Sequence, residues 1–237
     1  MALPKLGYPT YELELPSTGK TVKYRPFLVK EEKVLLLALD AKDEKQVIGA
    51  VKDLIKNCVI TRIKVDQLPS FDLEYLFLKI RAASIGEIIQ LTVTCLDDNK
   101  TEVEASININ QIEVFKPEGH DTKIMFDEKT GIVMKYPSMK QFVEREFLQK
   151  DMKTEDVYDF ISESIDQIFD DEEVYDSTTT TKKEFRTFVD GLTTKQFEKI
   201  QNFYETCPKL KHTFKVKNPN TGVESDYTIE GLQSFFA

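Results

Sequence analysis

Tryptophan is absent from this chain, histidine occurs twice, cysteine three times and glycine nine times in 237 residues. Each shortage removes a class of chemistry. Few glycines leave few places where backbone can approach a phosphate or cofactor closely. The two histidines, His120 and His212, and the three cysteines, Cys58, Cys95 and Cys207, form no HExxH, no CxxC and no Cys/His pair at ligand spacing. No intact zinc site can therefore be read. The cysteine spacing fits isolated reduced thiols better than a disulfide framework. Cys58, on an apolar helix face, and Cys207, before Pro208, read as small core residues. Neither histidine can be placed beside a cysteine, so no nucleophile–base pair is visible.

Two further shortages concern the whole chain. No stretch approaches the roughly 18 apolar residues of a membrane span, and MALPKLGYPTYELEL lacks the basic-then-apolar run of a signal peptide. The expectation is a soluble protein made in a cytoplasm. Positive charge is also scarce: 32 Lys and Arg against 41 Asp and Glu give a net charge of −9. Phosphate surfaces attract a cationic face, which argues against a nucleic-acid or anionic-membrane binder.

Hydrophobic residues make up 41% of the chain, enough for a substantial core in one large domain or two small ones. The organising stretch is Ser70–Glu87, SFDLEYLFLKIRAASIGE. At 100° per residue Phe71, Tyr75, Leu78, Ala82 and Ile85 form one stripe. Leu73, Leu76, Phe77, Ile80 and Ala83 form a second, opposite one. Two stripes imply packing on both faces, so residues 70–86 read as a central helix between two layers. Ser70 is its expected N-cap and Gly86 its stop.

Around this helix the period alternates between two and 3.6. Tyr11–Leu15 and Thr21–Arg25 read as a hairpin with Tyr11, Leu13 and Leu15 facing in. Helices are expected over about Val29–Leu39 and Asp43–Cys58, the second with Val47, Ile48, Val51, Leu54, Ile55 and Cys58 on one face. Ile88–Cys95 and Thr101–Ile109 form a second hairpin, and Lys123–Phe126 with Ile132–Tyr136 a third. Ser138-x-x-Gln141 is a capping box for a helix to about Gln149. A helix is expected over Thr154–Phe169, followed by a polar loop over Asp170–Thr181. Capping boxes at Thr181/Glu184 and Thr193/Gln196 open two more helices. The chain closes with a hairpin, His212–Lys217 and Val223–Ile229, and an apolar tail, Leu232–Phe236.

The pattern is that of an α+β fold. Lys116-Pro-Glu-Gly119 marks the best boundary, dividing modules 1–117 and 118–237 that could also pack as one unit. Ile107, Ile109, Ile112 and Phe115 match Tyr227, Ile229, Leu232 and Phe235 in spacing, through either an internal duplication or coincidence.

Candidate chemistry is sparse. Ser17-Thr-Gly-Lys-Thr21 ends like a phosphate-binding loop, but Glu14 stands where the first glycine belongs and the segment turns a hairpin. Asp170-Asp-Glu-Glu173 lacks the glycine and spacing of a calcium loop. Lys209–Lys217 is the one basic segment, and alternation puts Lys211, Lys215 and Lys217 on one strand face. That face is either a soluble exterior or a docking strip for an acidic partner. Arg81 reads as the partner of a buried acid, Glu74 or Glu32.

Taken together, Tyr24-Arg-Pro-Phe-Leu-Val-Lys-Glu-Glu-Lys33, Phe71–Glu87, Thr94-Cys95, Pro208-Lys-Leu-Lys-His212 and Leu232-Gln-Ser-Phe-Phe236 resemble the baseplate hub family of T4-like contractile-tailed bacteriophages. The resemblance covers nearly the whole chain, and its central-helix segment is the most specific part. That family includes a hub subunit and a hub assembly factor, and its members often carry CxxC knuckles at two hairpin tips. Here Cys95 remains, Asp98 replaces a second cysteine, and Asn218 and Thr221 occupy the other knuckle. The resemblance implies degenerate zinc-ribbon-like turns in which hydrogen bonds replace a metal.

It also implies a non-enzymatic structural protein of the virion tail baseplate, docking onto other tail proteins without cofactor, nucleic acid, membrane or small-molecule substrate. Lys211, Lys215, Lys217, Phe115, Phe235 and Phe236 are candidate docking residues, while Arg81, Glu74 and Gly86 are structural. An assembly chaperone absent from the virion is the alternative within the family. A hydrolase or nucleotide-using enzyme is the alternative outside it. A zinc-stabilised module would require ligands for Cys95 from elsewhere.

Overall fold

In the computed structural model the residues described are 7–41, 43–138, 141 and 154–231. Among them are six α-helices and eleven strands, the strands forming four antiparallel sheets. The fold is α+β. Two compact units are present. The first holds the chain up to Phe115 and resumes at Lys209; the second is Lys116–Pro208. A division into 1–117 and 118–237 differs from this at the terminal hairpin. That hairpin joins the first unit because its leading strand pairs with Glu113–Phe115, through Lys209↔Phe115, Leu210↔Val114 and Lys211↔Glu113.

The first unit opens with strands β1 (Tyr11–Glu14) and β2 (Thr21–Tyr24), in register Tyr11↔Tyr24 and Leu13↔Val22. Leu15, Val22 and Tyr24 are buried, and Tyr11 stacks on Tyr24 from a more exposed position, ring centroids 5.6 Å apart. The intervening Ser17 donates its N–H (3.0 Å) and its hydroxyl to the carboxylate of fully buried Asp72. The phosphate-loop-like run is thus a hairpin turn anchored to the central helix. Burial pushes the Asp72 carboxyl up, opposed by the two Ser17 bonds.

Helices α1 (Val29–Asp40) and α2 (Glu44–Cys58) follow. Asp43 caps α2 by accepting from the N–H groups of Lys45 and Gln46. The expected apolar face of α2 is buried at Val47, Val51, Leu54, Ile55 and Cys58. Helix α3 (Ser70–Ile85) packs against α2, against a 3-10 turn at Ile109–Gln111, and against strands β5 and β10 described below. Phe71, Leu73, Leu76, Phe77, Leu78 and Ile80 are each at most 3% exposed, so both predicted stripes are buried along its first three turns. The last turn opens to solvent at Ile85.

Asp72 and Glu74, which belong to neither stripe, are buried as well. Ser70 is the first helical residue and not the cap; Pro69 precedes it and supplies the carbonyl for the Leu73 N–H at 3.1 Å. At the other end Gly86 has φ +114°, a region L side chains rarely adopt, and this ends the helix.

Beyond Gly86, β3 (Ile88–Thr94) pairs with β4 (Glu102–Asn108) from Ile88↔Asn108 to Thr94↔Glu102. The 3-10 turn then leads to β5 (Glu113–Phe115). Of the matched positions Ile107, Ile109, Ile112 and Phe115, the first three are buried and Phe115 is exposed. Of their counterparts, Leu232 and Phe235 lie outside the described residues.

The second unit contains a sheet of four strands: β6 (Lys123–Met125), β7 (Gly131–Met134), β8 (Ile165–Phe169) and β9 (Val174–Asp176). A Cβ on Gly131 would lie 2.6 Å from the Ile124 carbonyl oxygen and the Phe169 ring, so β6, β7 and β8 approach there as only glycine permits. Helices α4 (Thr154–Glu163), α5 (Lys182–Asp190) and α6 (Thr194–Glu205) complete the unit, their core including Ile132, Ile161, Phe185, Ile200 and Phe203.

The helix expected over Thr154–Phe169 is therefore two elements. Ser162 and Ser164 turn their hydroxyls onto the carbonyls of Asp159 and Phe160, both at 2.8 Å, where α4 ends. The β-branched Ile165-Asp-Gln-Ile168 run then pairs between β7 and β9. The expected polar loop likewise contains β9. Both capping boxes, at Thr181/Glu184 and Thr193/Gln196, form. So does the Ser138/Gln141 box, although the helix it was expected to open lies outside the described residues.

Candidate functional site

The residues singled out as degenerate knuckle positions converge in the first unit. Strands β10 (Lys209–Lys217) and β11 (Glu224–Glu230) form the terminal hairpin, and its tip meets the tip of β3–β4. Each tip is shaped by its own short polar side chains. Asp98 accepts from the N–H groups of Lys100 and Thr101, both at 3.0 Å, and Asn99 takes φ +53°, which asparagine tolerates. Asn218 accepts in the same way from Asn220 N–H at 2.9 Å, and Gly222 takes φ +79°.

Across the tips, the Asn218 amide donates to both oxygens of Asp97 (3.0 and 3.1 Å) and to Asp98 (3.1 Å). Thr221 donates to Asp97, and Asn220 to the Thr101 hydroxyl at 3.0 Å. Tyr227 completes the clasp by donating to the Thr94 carbonyl and accepting from Leu96 N–H, both at 2.8 Å.

These contacts explain the electrostatics. Hydrogen bonds from Asn218 and Thr221 hold the Asp97 carboxyl below its usual range, and bonds from Thr101 and Lys100 do the same for Asp98. Cys95 is buried beside them; burial, then the nearby Asp97 and Asp98 charges, push its thiol up.

The donor set does not suit zinc. It offers one thiol held toward its neutral form and an amide that donates to the carboxylates it would have to join as a ligand. Among the described residues no group of three His, Cys, Asp or Glu side chains could hold a metal ion.

Asn218 is 1% exposed and links both carboxylates, so it dominates the clasp. Asn218→Ala is expected to lower unfolding stability by about 1.5–3 kcal/mol, the range for hydrogen bonds to charged groups. Asn218→Asp, similar in shape but repelled by Asp97 and Asp98, should be at least as damaging at neutral pH. Urea unfolding of both variants checks this; a loss below about 0.5 kcal/mol in each would remove the clasp from the stability of the unit.

The basic strip lies on the outer face of the sheet ordered β11–β10–β5. Register sets Lys211 opposite Glu230, Lys215 opposite Asp226 and Lys217 opposite Glu224. Lys215 pairs with Glu224 at 3.1 Å and Lys209 with Glu230 at 2.8 Å. Lys211 sits over the Phe115 ring, 5.8 Å from its centroid, and that ring is itself 56% exposed. The face is a mixed-charge surface, because the acidic strand beside β10 answers most of its lysines. Phe235 and Phe236 lie outside the described residues.

Arg81 does not pair with Glu74 or Glu32. It makes no ion pair among the described residues; its Nη1 is buried without a hydrogen-bond partner, and burial pushes the guanidinium pKa down. Arg25 and Glu31 form a buried ion pair in this unit, a two-pronged contact at 2.9 and 3.1 Å. Arg25 also donates to the carbonyls of Pro26 (2.8 Å) and Asn57 (2.9 Å), joining β2, α1 and α2. Of the histidines, His120 is buried in the second unit against the Thr206 and Tyr136 hydroxyls (2.9 and 3.1 Å), and its pKa is pushed down by burial, then by Lys116. Both ring nitrogens are thus occupied by structural partners.

Comparison with known proteins gives this geometry its setting. The family described as T4 bacteriophage base plate protein matches residues 8–237. The chain belongs to this family. No curated protein and no solved structure matched it. Membership makes the protein a phage baseplate protein, implies a location in the virion tail and interaction with other tail proteins, and points away from an enzyme. No described helix of this baseplate protein is long and apolar enough to cross a membrane.

Several working residues escaped the sequence reading. Asp97 and Tyr227 are central to the clasp; Asp97 adjoins a named knuckle position, while Tyr227 stands out only as an apolar position matched to Ile107, which says nothing of its hydroxyl's bonds to Thr94 and Leu96. Arg25 and Glu31 lie inside the first family-like segment, and a glutamate at the third helical position of α1 was the available signal.

Proposed function

We propose that this baseplate protein is a structural subunit of the baseplate hub of a contractile tail, working by docking onto other tail subunits. Its role requires no catalysis, cofactor or small-molecule substrate. One observation carries the reading: the outer face of α1 exposes large apolar side chains beside Lys33 and Asp40. Val29 is 81% exposed, Leu36 54% and Leu37 60%, and helical spacing sets them on one face around Lys33. Single exposed leucines are ordinary, but apolar side chains gathered on one helix face indicate a surface that a partner covers. The mixed-charge face of β5–β10–β11, with exposed Phe115 beside Lys211 and with Lys215 and Lys217 farther along β10, is a second docking surface. Paired charges there favour orientation of a partner over raw affinity.

The test is Leu36→Glu/Leu37→Glu, supplied in trans to a phage lacking the chain. Both sites are exposed, so stability should change by no more than about 0.5 kcal/mol per site. Completed tails are expected to fall at least tenfold while the soluble chain still unfolds at the wild-type urea midpoint. Tails formed at wild-type yield would overturn docking through α1.

A further inference from the structure

The sequence directs attention to the basic strand β10, yet its lysines face acids of β11. Two of them, Lys209 and Lys215, are held in ion pairs, and further lysines without ion pairs lie outside that strand. In the second unit a cleft of about 640 Å³ runs between β6 and α6, lined by Lys123, Lys195 and Lys199, with Asp121 and Glu198 also present. None of its three lysines makes an ion pair among the described residues. The Lys123 ammonium lies over the Phe169 ring, 4.8 Å from its centroid, so Lys195 and Lys199 are the two cations the helical wall offers without an ion-pair partner among the described residues.

The cleft's strand wall is a sheet edge among the described residues, where β6 pairs only with β7. The Met134 N–H donates to the Thr122 carbonyl (2.8 Å) and the Phe126 N–H to the Thr130 carbonyl (2.9 Å). Antiparallel alternation then turns the backbone groups of Lys123 and Met125 away from β7. Two of these are engaged: Asp121 accepts the Lys123 N–H at 3.0 Å, and Lys199 donates to the Met125 carbonyl at 2.7 Å. Among the described residues the Lys123 carbonyl and the Met125 N–H remain on the open edge. On the helical wall Lys195 and Lys199 lie one turn apart, on the face shared with Asn202 and Thr206.

We propose that this cleft receives an extended acidic segment of a partner tail protein, which adds to β6 as a fifth strand of the sheet. Backbone hydrogen bonds to Lys123 and Met125 would set its register, and its carboxylates would meet Lys195 and Lys199. Lys199 then exchanges the Met125 carbonyl for a carboxylate, leaving that carbonyl to the incoming strand. The inference rests on the docking reading above and names one of its surfaces.

Zero-length carbodiimide coupling tests it, because this joins a lysine only to a carboxylate in direct contact. The full chain, affinity-tagged, is isolated with its tail partners from infected cells, coupled and mapped by mass spectrometry. Lys195 or Lys199 joined to an Asp or Glu of another tail subunit is the expected result. Lys195→Glu/Lys199→Glu should reduce recovery of that subunit at least tenfold, while Lys195→Arg/Lys199→Arg should retain it. Couplings confined to other surfaces, with recovery unchanged in the Glu variant, overturn the cleft but leave docking intact. No coupling to any tail subunit overturns both.

Discussion

Replacing Glu31 by Ala is expected to destabilise the first unit by about 3–5 kcal/mol, because it leaves the Arg25 guanidinium buried without its counter-charge. Arg25 is 8% and Glu31 5% exposed, so water cannot readily substitute for the lost carboxylate. Glu31 also accepts the Leu28 N–H that opens α1, so the same change loosens the helix start. The paired control is Arg25→Met/Glu31→Leu, which removes both charges and should recover much of the loss, since apolar pairs often replace buried ion pairs without net cost.

The pH dependence has a definite sign. Burial pushes the Glu31 carboxyl up, but bonds from Arg25 and the Leu28 N–H outweigh it and leave the group below its ordinary value of 4.5. The unfolded chain therefore takes up the proton first on acidification. The contribution of the pair is fully present above that ordinary value and is lost as pH falls through the depressed one. Urea midpoints measured downward from pH 7 should fall more steeply for the wild type than for the Met/Leu control. Parallel curves would mean that Glu31 contributes nothing through its charge.

The second large effect concerns the central helix. Phe77 has no exposed surface, and its truncation to Ala is expected to cost about 3–5 kcal/mol through lost burial and the cavity left behind. Ile85, on the same helix but 54% exposed, provides the contrast, with Ile85→Ala expected to stay within about 0.5 kcal/mol. Circular dichroism is the suitable probe, as the chain has no tryptophan. Similar losses at both sites would contradict the burial of the first three turns between α2 and the strands. Against a domain stability of about 5–15 kcal/mol, the Phe77 loss alone could leave the first unit marginal.

Periodicity made most of the architecture legible. The apolar face of α2, the two stripes of α3 and each hairpin follow from local patterns of period 3.6 or two, and local patterns survive in the sequence. Two kinds of feature did not. Ile161, Ile165 and Ile168 keep a helical spacing while the chain passes from α4 into β8, so period alone could not locate the break; sheet partners decided it. The β5–β10 pairing joins residues about a hundred positions apart, and nothing local encodes it.

The candidate site divides the same way. Asp98, Asn218 and Thr221 could be named from their places at hairpin tips, but the bonds between the tips are long-range. That acids stand opposite Lys211, Lys215 and Lys217 was within reach, since the register of a hairpin fixes which residues of β11 face β10; the ion pairs that form, Lys209–Glu230 and Lys215–Glu224, run diagonally to that register. Arg81 drew attention as a cation in an apolar helix. Arg25, beside Pro26 and at the end of a strand, is the cation whose counter-charge lies within the core.

A hub subunit remains in the particle, whereas an assembly chaperone leaves it. Quantitative mass spectrometry of purified virions, scaled to a tail protein of fixed copy number, separates the two. A stoichiometric, reproducible number of copies per tail is the expected result. A chain abundant in infected cells and absent from virions would contradict the structural role.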